Sequence, residues 1–133
     1  MIIKQVRISS QAKDQLIRLK SKTGIQNWNV LCRWALCLSL REPSIPTDIE
    51  ISTDSNGIEM DWNVFGGEYQ EVYAALIKQR CLEDGLGDDN ETLAKYFRLH
   101  LHRGISYLAG DRDIKAIGDL IKKTFKYALG SDN

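Results

Sequence analysis

Apolar and polar residues alternate from the start of the chain. Ile2, Val6 and Ile8 fall on one side, Gln5, Arg7 and Ser9 on the other. A period of two predicts a strand over residues 3–8. The period then changes: Ala12, Leu16 and Leu19 recur at i, i+4 and i+7, one face of a helix. Ser9 or Ser10 suits its N-cap, and Thr23-Gly24 its end, because glycine readily takes the left-handed conformation that closes a helix. From Trp28 to Leu40, with Asn27 as cap, the chain is apolar almost all round. Such a helix must be buried on several sides, by other helices of the chain or by a second subunit.

Both prolines lie in the linker Arg41–Pro46. Alternation resumes on either side of Asp54-Ser-Asn-Gly57 and predicts a hairpin near 48–65. Its inner face is Ile49, Ile51, Ile58, Met60, Trp62 and Val64; its outer face is Glu50, Glu59 and Asp61. Phe65-Gly-Gly-Glu-Tyr69 reads as a tight turn into a helix ending near Leu82, with Tyr69, Val72, Tyr73, Leu76 and Ile77 as its apolar stripe. Asn90 suits the cap of a helix from Glu91 to about Leu108. A last helix is expected from about Asp113 to Leu129, with Ile114, Ile117, Leu120, Ile121 and Phe125 inward and Lys115, Lys122, Lys123 and Lys126 outward. The expected architecture is one domain, 1–133, mainly α with minor β. It comprises a ribbon-helix-helix-like strand-helix-helix start, the hairpin and three further helices.

Charge changes this picture. The formal net charge is zero, but its distribution is uneven. Residues 1–41 carry eight basic side chains against Asp14 alone, residues 42–91 thirteen acids against Lys78 and Arg80, and the remainder eight bases against four acids. A basic head, an acidic middle and a basic tail suit a polyanion partner, self-association of opposite patches, or both. Arg7, Lys13, Arg18, Lys20, Lys22 and Arg33 are the candidate phosphate contacts. If residues 3–8 paired between two chains, Gln5, Arg7 and Ser9 would face a DNA groove. The same strand would equally serve as the edge of an intramolecular sheet. Asn27, Trp28 and Asn29, at the start of the second helix, offer free N–H groups to a phosphate.

Candidate chemistry is sparse. His100 and His102 are the only histidines. On a helix, two residues apart is about 200°, so the rings diverge, and a packed or hydrogen-bonded role is expected for each. Arg98 and Arg103 beside them suit salt bridges or phosphate. Cys32 and Cys37 lie in the apolar helix, a poor setting for a reactive thiolate. The Gly66-Gly67 pair lacks the Lys-Ser/Thr of a phosphate-binding loop. The chain reads as a binding protein rather than an enzyme, with no cofactor and no metal. Three cysteines without framework spacing and no transmembrane-length apolar run lead to an expectation of reduced thiols in the cytoplasm.

Three stretches carry a family resemblance: KQVRISSQAKDQLIRLKSKTGIQNWNVLCRWALCLSLREPS, SNGIEMDWNVFGGEY and YFRLHLHRGISYLAG. Together they resemble the E component of the bacterial DNA phosphorothioation (Dnd sulfur-modification) system, with FGGEY and RLHLHRG the more specific parts. The resemblance implies a non-enzymatic accessory of the machinery that replaces a non-bridging phosphate oxygen of DNA with sulfur. It implies a mainly helical protein that self-associates as a homotetramer and binds DNA, nicked duplex included. The sulfur chemistry then belongs to a cysteine desulfurase, an iron–sulfur protein and an ATPase. Two other readings stay open. A ribbon-helix-helix regulator or antitoxin would read an operator through Gln5 and Arg7. A scaffold would dock its acidic middle on basic partner subunits without touching DNA.

Overall fold

The computed structural model describes residues 3–128, with side chains to residue 122. Strand β1 (Gln5–Ile8) leads into α1 (Ser10–Thr23) and α2 (Trp28–Arg41). After an extended linker come β2 (Ile58–Asp61), the short α3 (Trp62–Gly66), a 3₁₀ turn (Gly67–Tyr69), α4 (Gln70–Glu83), α5 (Asn90–Gly110) and α6 (Ile117–Ala128). The expected side chains of Lys123, Phe125 and Lys126, together with Ile2 and Leu129, lie outside the described residues.

β1 forms as its alternation predicts: Val6 and Ile8 are buried, Gln5 and Arg7 exposed. Its partner is β2 of the same chain, antiparallel, with Gln5 opposite Asp61 and Ile8 opposite Ile58. The sheet is intramolecular, and the ribbon-helix-helix detail gains no support from it. The hairpin is corrected. Residues 49–52 form no strand, and Ile49 is exposed rather than inward. Asp54–Gly57 does turn, closed by Gly57 N–H to Asp54 O at 3.3 Å. Gly57 is required there because a Cβ would overlap the Ile8 carbonyl oxygen. The strand also stops earlier than expected. Trp62 donates its N–H to Lys4 O at 2.9 Å and the chain then turns helical. The i, i+3 spacing brings Trp62 and Phe65 together, with ring centroids 5.3 Å apart, and Phe97 packs edge-on to both. Val64, expected inward, faces solvent.

The centre of the molecule is the α2–α5 pair. Gly104 of α5 lies against the Ala35 carbonyl of α2 where any Cβ would collide, so this glycine sets how closely the helices approach. Leu31, Ala35, Leu36, Leu101, Ile105 and Leu108 fill the contact. The apolar character of α2 exceeds what one chain covers: Val30, Trp34 and Leu38 are only half-buried. On α4, Ile77 is buried and Tyr73 half-buried, but Val72 and Leu76, with Tyr69 of the preceding 3₁₀ turn, are exposed instead of forming an inward stripe. The cap of α5 is Asp89, one residue before the expected Asn90. Its carboxylate accepts from Thr92 N–H at 3.2 Å and from the Thr92 hydroxyl. Those bonds hold the Asp89 carboxyl below the usual range. No helix among the described residues is long and apolar enough to cross a membrane.

Candidate nucleic-acid interface

α1 owes its position to its ends and one apolar face. Ser9 Oγ accepts from Ala12 N–H at 3.1 Å, and Gly24, in the left-handed conformation at φ 76°, sends its N–H to Lys20 O. Ala12, Leu16, Leu19 and Thr23 are buried. This leaves Lys13, Arg18, Lys20 and Lys22 along the remaining surface of one helix. Among the described residues, Lys13, Arg18 and Lys22 have no acidic partner. Lys20 differs: its ammonium sits 3.5 Å from the centroid of the Trp28 ring, at the start of α2.

The other two expected contacts lie elsewhere. Arg7 is on β1, exposed and 3.4 Å from Glu59 on β2. So exposed a pair contributes at most about 1 kcal/mol and is readily exchanged for another anion. Arg7 also lines a small cleft of about 150 Å³ with Gln5, Thr53 and Arg98. Arg98 was not among the six expected contacts, because it lies on α5, far along the chain from Arg7; only the packing of β1 on α5 brings them to one cleft. Arg33 is committed elsewhere: it donates to Asn29 O at 3.2 Å and hydrogen-bonds Tyr73. It lines a shallow cleft of about 330 Å³ with Val30, Trp34, Cys37 and Tyr73. Four of the six expected cations are therefore together on α1, and Arg7 and Arg33 stand apart.

The histidines serve the scaffold of this surface. His102 Nε2 accepts from Ser9 N–H at 3.2 Å, so Nδ1 carries the proton and donates to Arg98 O at 2.8 Å. Burial lowers its pKa, which suits the neutral ring this geometry requires. It thereby ties α5 to the N-terminus of α1. His100 is buried, with Nδ1 2.8 Å from Ser39 Oγ. Ser39 Oγ accepts from Arg103 Nε–H at 2.9 Å, leaving its own proton for the imidazole. Burial and then the Arg103 and Arg80 charges push His100 down to about 4.

Arg103 and Arg80 clamp the end of α2. Arg103 donates to Ser39 O and Ser44 O, and Arg80 to Leu40 O, Glu42 O, Ser44 O and the Asp84 carboxylate, at 2.7–2.9 Å. Carbonyls left open at a helix C-terminus attract cations. These arginines are thus occupied inside the fold. Asn27 makes no side-chain cap on α2; Asn29 instead accepts from Val30 N–H and donates to Val64 O. Among the described residues no group of three or more His, Cys, Asp or Glu could hold a metal ion. Burial raises the Cys32 thiol to about 12 and the Cys81 thiol in the same direction, whereas Cys37, expected inside the apolar helix, is exposed.

Fold and surface together define a small, mainly helical protein that presents one basic helix beside a two-stranded sheet. The family model for the DNA sulphur modification protein DndE matches residues 5–116, and the chain belongs to that family. It is similar to the crystal structure of DndE from Escherichia coli B7A, involved in DNA phosphorothioation modification. The TM-score is 0.65 at 25% identity, over 81% of this chain and 98% of that one. A glycine-to-lysine mutant of DndE involved in DNA phosphorothioation shares the fold, with TM-score 0.61, 20% identity and the same coverage. No curated protein matches the sequence.

Proposed function

We propose that this protein is a DNA-binding accessory subunit of the phosphorothioation machinery, holding duplex DNA, nicked duplex included, through its backbone phosphates. The carrying observation is α1: Lys13, Arg18 and Lys22 stand at the surface without acidic partners, on a helix fixed at both ends, in a chain of the DndE family. Arg7 and Arg98, at their cleft, offer a second place for a phosphate. Contacts of this kind position a protein on the duplex and carry little sequence information. A non-catalytic role is supported by Cys32 and Cys81, whose thiols burial keeps protonated at neutral pH. The desulfurase, iron–sulfur and ATPase components would then supply the sulfur chemistry, with this subunit presenting the DNA. Self-association, with a homotetramer as the expected form, is supported by the exposed Tyr69, Val72 and Leu76 and by the half-covered Val30 and Trp34.

The test is a salt-titrated binding assay on intact, nicked and single-stranded oligonucleotides, with the mass of the free protein measured alongside. Affinity should fall steeply as salt rises, in proportion to the phosphates neutralised. Replacing Lys13, Lys20 and Lys22 together by Glu should abolish binding while the far-UV circular dichroism is retained. A flat salt response of the wild-type protein would overturn the proposal.

A further inference from the structure

α6 lies beyond the family match, which ends at residue 116. The E. coli structure is covered over 98% of its length by only 81% of this chain. The helix is built onto the domain. The Asp119 carboxylate turns back to accept from Lys115 N–H at 2.9 Å and Ala116 N–H at 3.0 Å, fixing where the helix starts. This arrangement also explains why α6 begins four residues after the expected Asp113. Ile114 and Leu120 are buried and the helix packs against α1, whereas Ile117 and Ile121, expected inward, are exposed. The basic helix α1 therefore has a neighbour that lies beyond the family match.

We infer that α6 and the turn leading into it extend the DNA surface, with Lys115 in that turn and Lys122 on α6 contacting phosphates next to those held by α1. Both side chains are exposed, and neither ammonium has an acidic partner among the described residues. Asp119, the acid within the first turn of α6, is occupied by the two backbone N–H groups. Packed helices lie about 8–10 Å apart. Duplex DNA carries a charge about every 1.7 Å along its axis. Phosphates are thus spaced closely enough to lie beneath two adjacent helices. The inference rests on the proposed DNA binding, and its failure can be told apart from failure of that reading.

The experiment uses the full chain and a duplex oligonucleotide of fixed length, with binding followed by fluorescence anisotropy over a range of NaCl. Replacing Lys115 and Lys122 by Gln should lower the slope of log Kd against log salt by about 1.8, or about 0.9 for each phosphate that is no longer neutralised. Replacing both by Arg should keep the slope. Circular dichroism and melting should not move with either pair. An unchanged slope in the Gln pair, with a reduced slope for Lys13→Gln and Lys22→Gln, would overturn the role of α6 and leave α1 as the site. Absence of salt-dependent binding by the wild-type chain would remove both.

Discussion

The arginines behind α2 and the cations along α1 carry the same formal charge in opposite circumstances. Arg80 and Arg103 lie against backbone carbonyls, Ser39, the Asp84 carboxylate and the Ser44 hydroxyl, with nearly every donor spent. Arg18 and Lys22 are exposed to water on one flank of α1, and Lys13 is half-exposed on the other. The first pair closes the fold, because an open helix C-terminus and a linker without secondary structure need donors. The second set adds little to stability and is available to an anion outside. Counting charge along the chain therefore overstates the binding surface. What locates it is charge left without an internal partner.

The largest effect should come from breaking the clamp. Arg80→Met leaves the Leu40 and Glu42 carbonyls without this donor and strands Asp84, a pair with side chains only 9% and 12% exposed. Breaking a buried, hydrogen-bonded charge pair costs about 3–5 kcal/mol. Urea unfolding should show that loss, while DNA affinity per folded molecule stays near wild type. If affinity falls with stability intact, Arg80 belongs with the binding cations and the contrast between the two regions collapses.

The next effect is acid-induced and tests the same network. His100 is held at about 4 against an ordinary 6.5. The unfolded chain takes up the proton first, so stability is full above about pH 6.5 and declines as pH falls toward 4. From the size of the shift, about 2–3 kcal/mol is lost by pH 4.5. His102, also lowered, acts in the same direction. Unfolding of wild type and His100→Asn at pH 7 and 4.5 separates the two: the variant should lose less between them. Equal losses would assign the acid sensitivity elsewhere.

The contrast also explains what could be read from the chain alone. β1, α1 and its closing Gly24 were legible because each signal is local: alternation, a cap residue, a left-handed glycine. The hairpin was not. Ile49 and Ile51 alternate as well as any strand, yet β2 pairs with β1, some fifty residues earlier, because Gly57 can meet the Ile8 carbonyl. Asp89 and Asn90 are both good cap residues, and only geometry chose between them. The basic residues of α1 were legible as a set. That Arg33 is spent on Asn29 and Tyr73, that Arg80 and Arg103 are internal, and that Arg98 joins Arg7 follow from tertiary packing, which leaves no pattern in sequence spacing.

Lys20 stands between the two regions and gives the smallest and sharpest test. It belongs to α1 by position, yet its ammonium is held 3.5 Å from the Trp28 centroid, which ties the end of α1 to the start of α2. A partly exposed cation–π interaction is worth about 0.5–1 kcal/mol. Lys20→Gln should lower stability by about that much, whereas Lys13→Gln and Lys22→Gln, with no acidic partner to lose, should stay within about 0.5 kcal/mol of wild type. Binding should rank the other way. A phosphate must compete with the indole for Lys20, so Lys20→Gln should reduce the salt slope less than Lys22→Gln. Trp28→Leu, which frees the ammonium, should bring the Lys20 contribution up to that of Lys22. Equal slope reductions for Lys20 and Lys22 in the wild-type background would mean that an internal partner does not withhold a cation from DNA. Partner-free charge would then cease to be the feature that marks this surface.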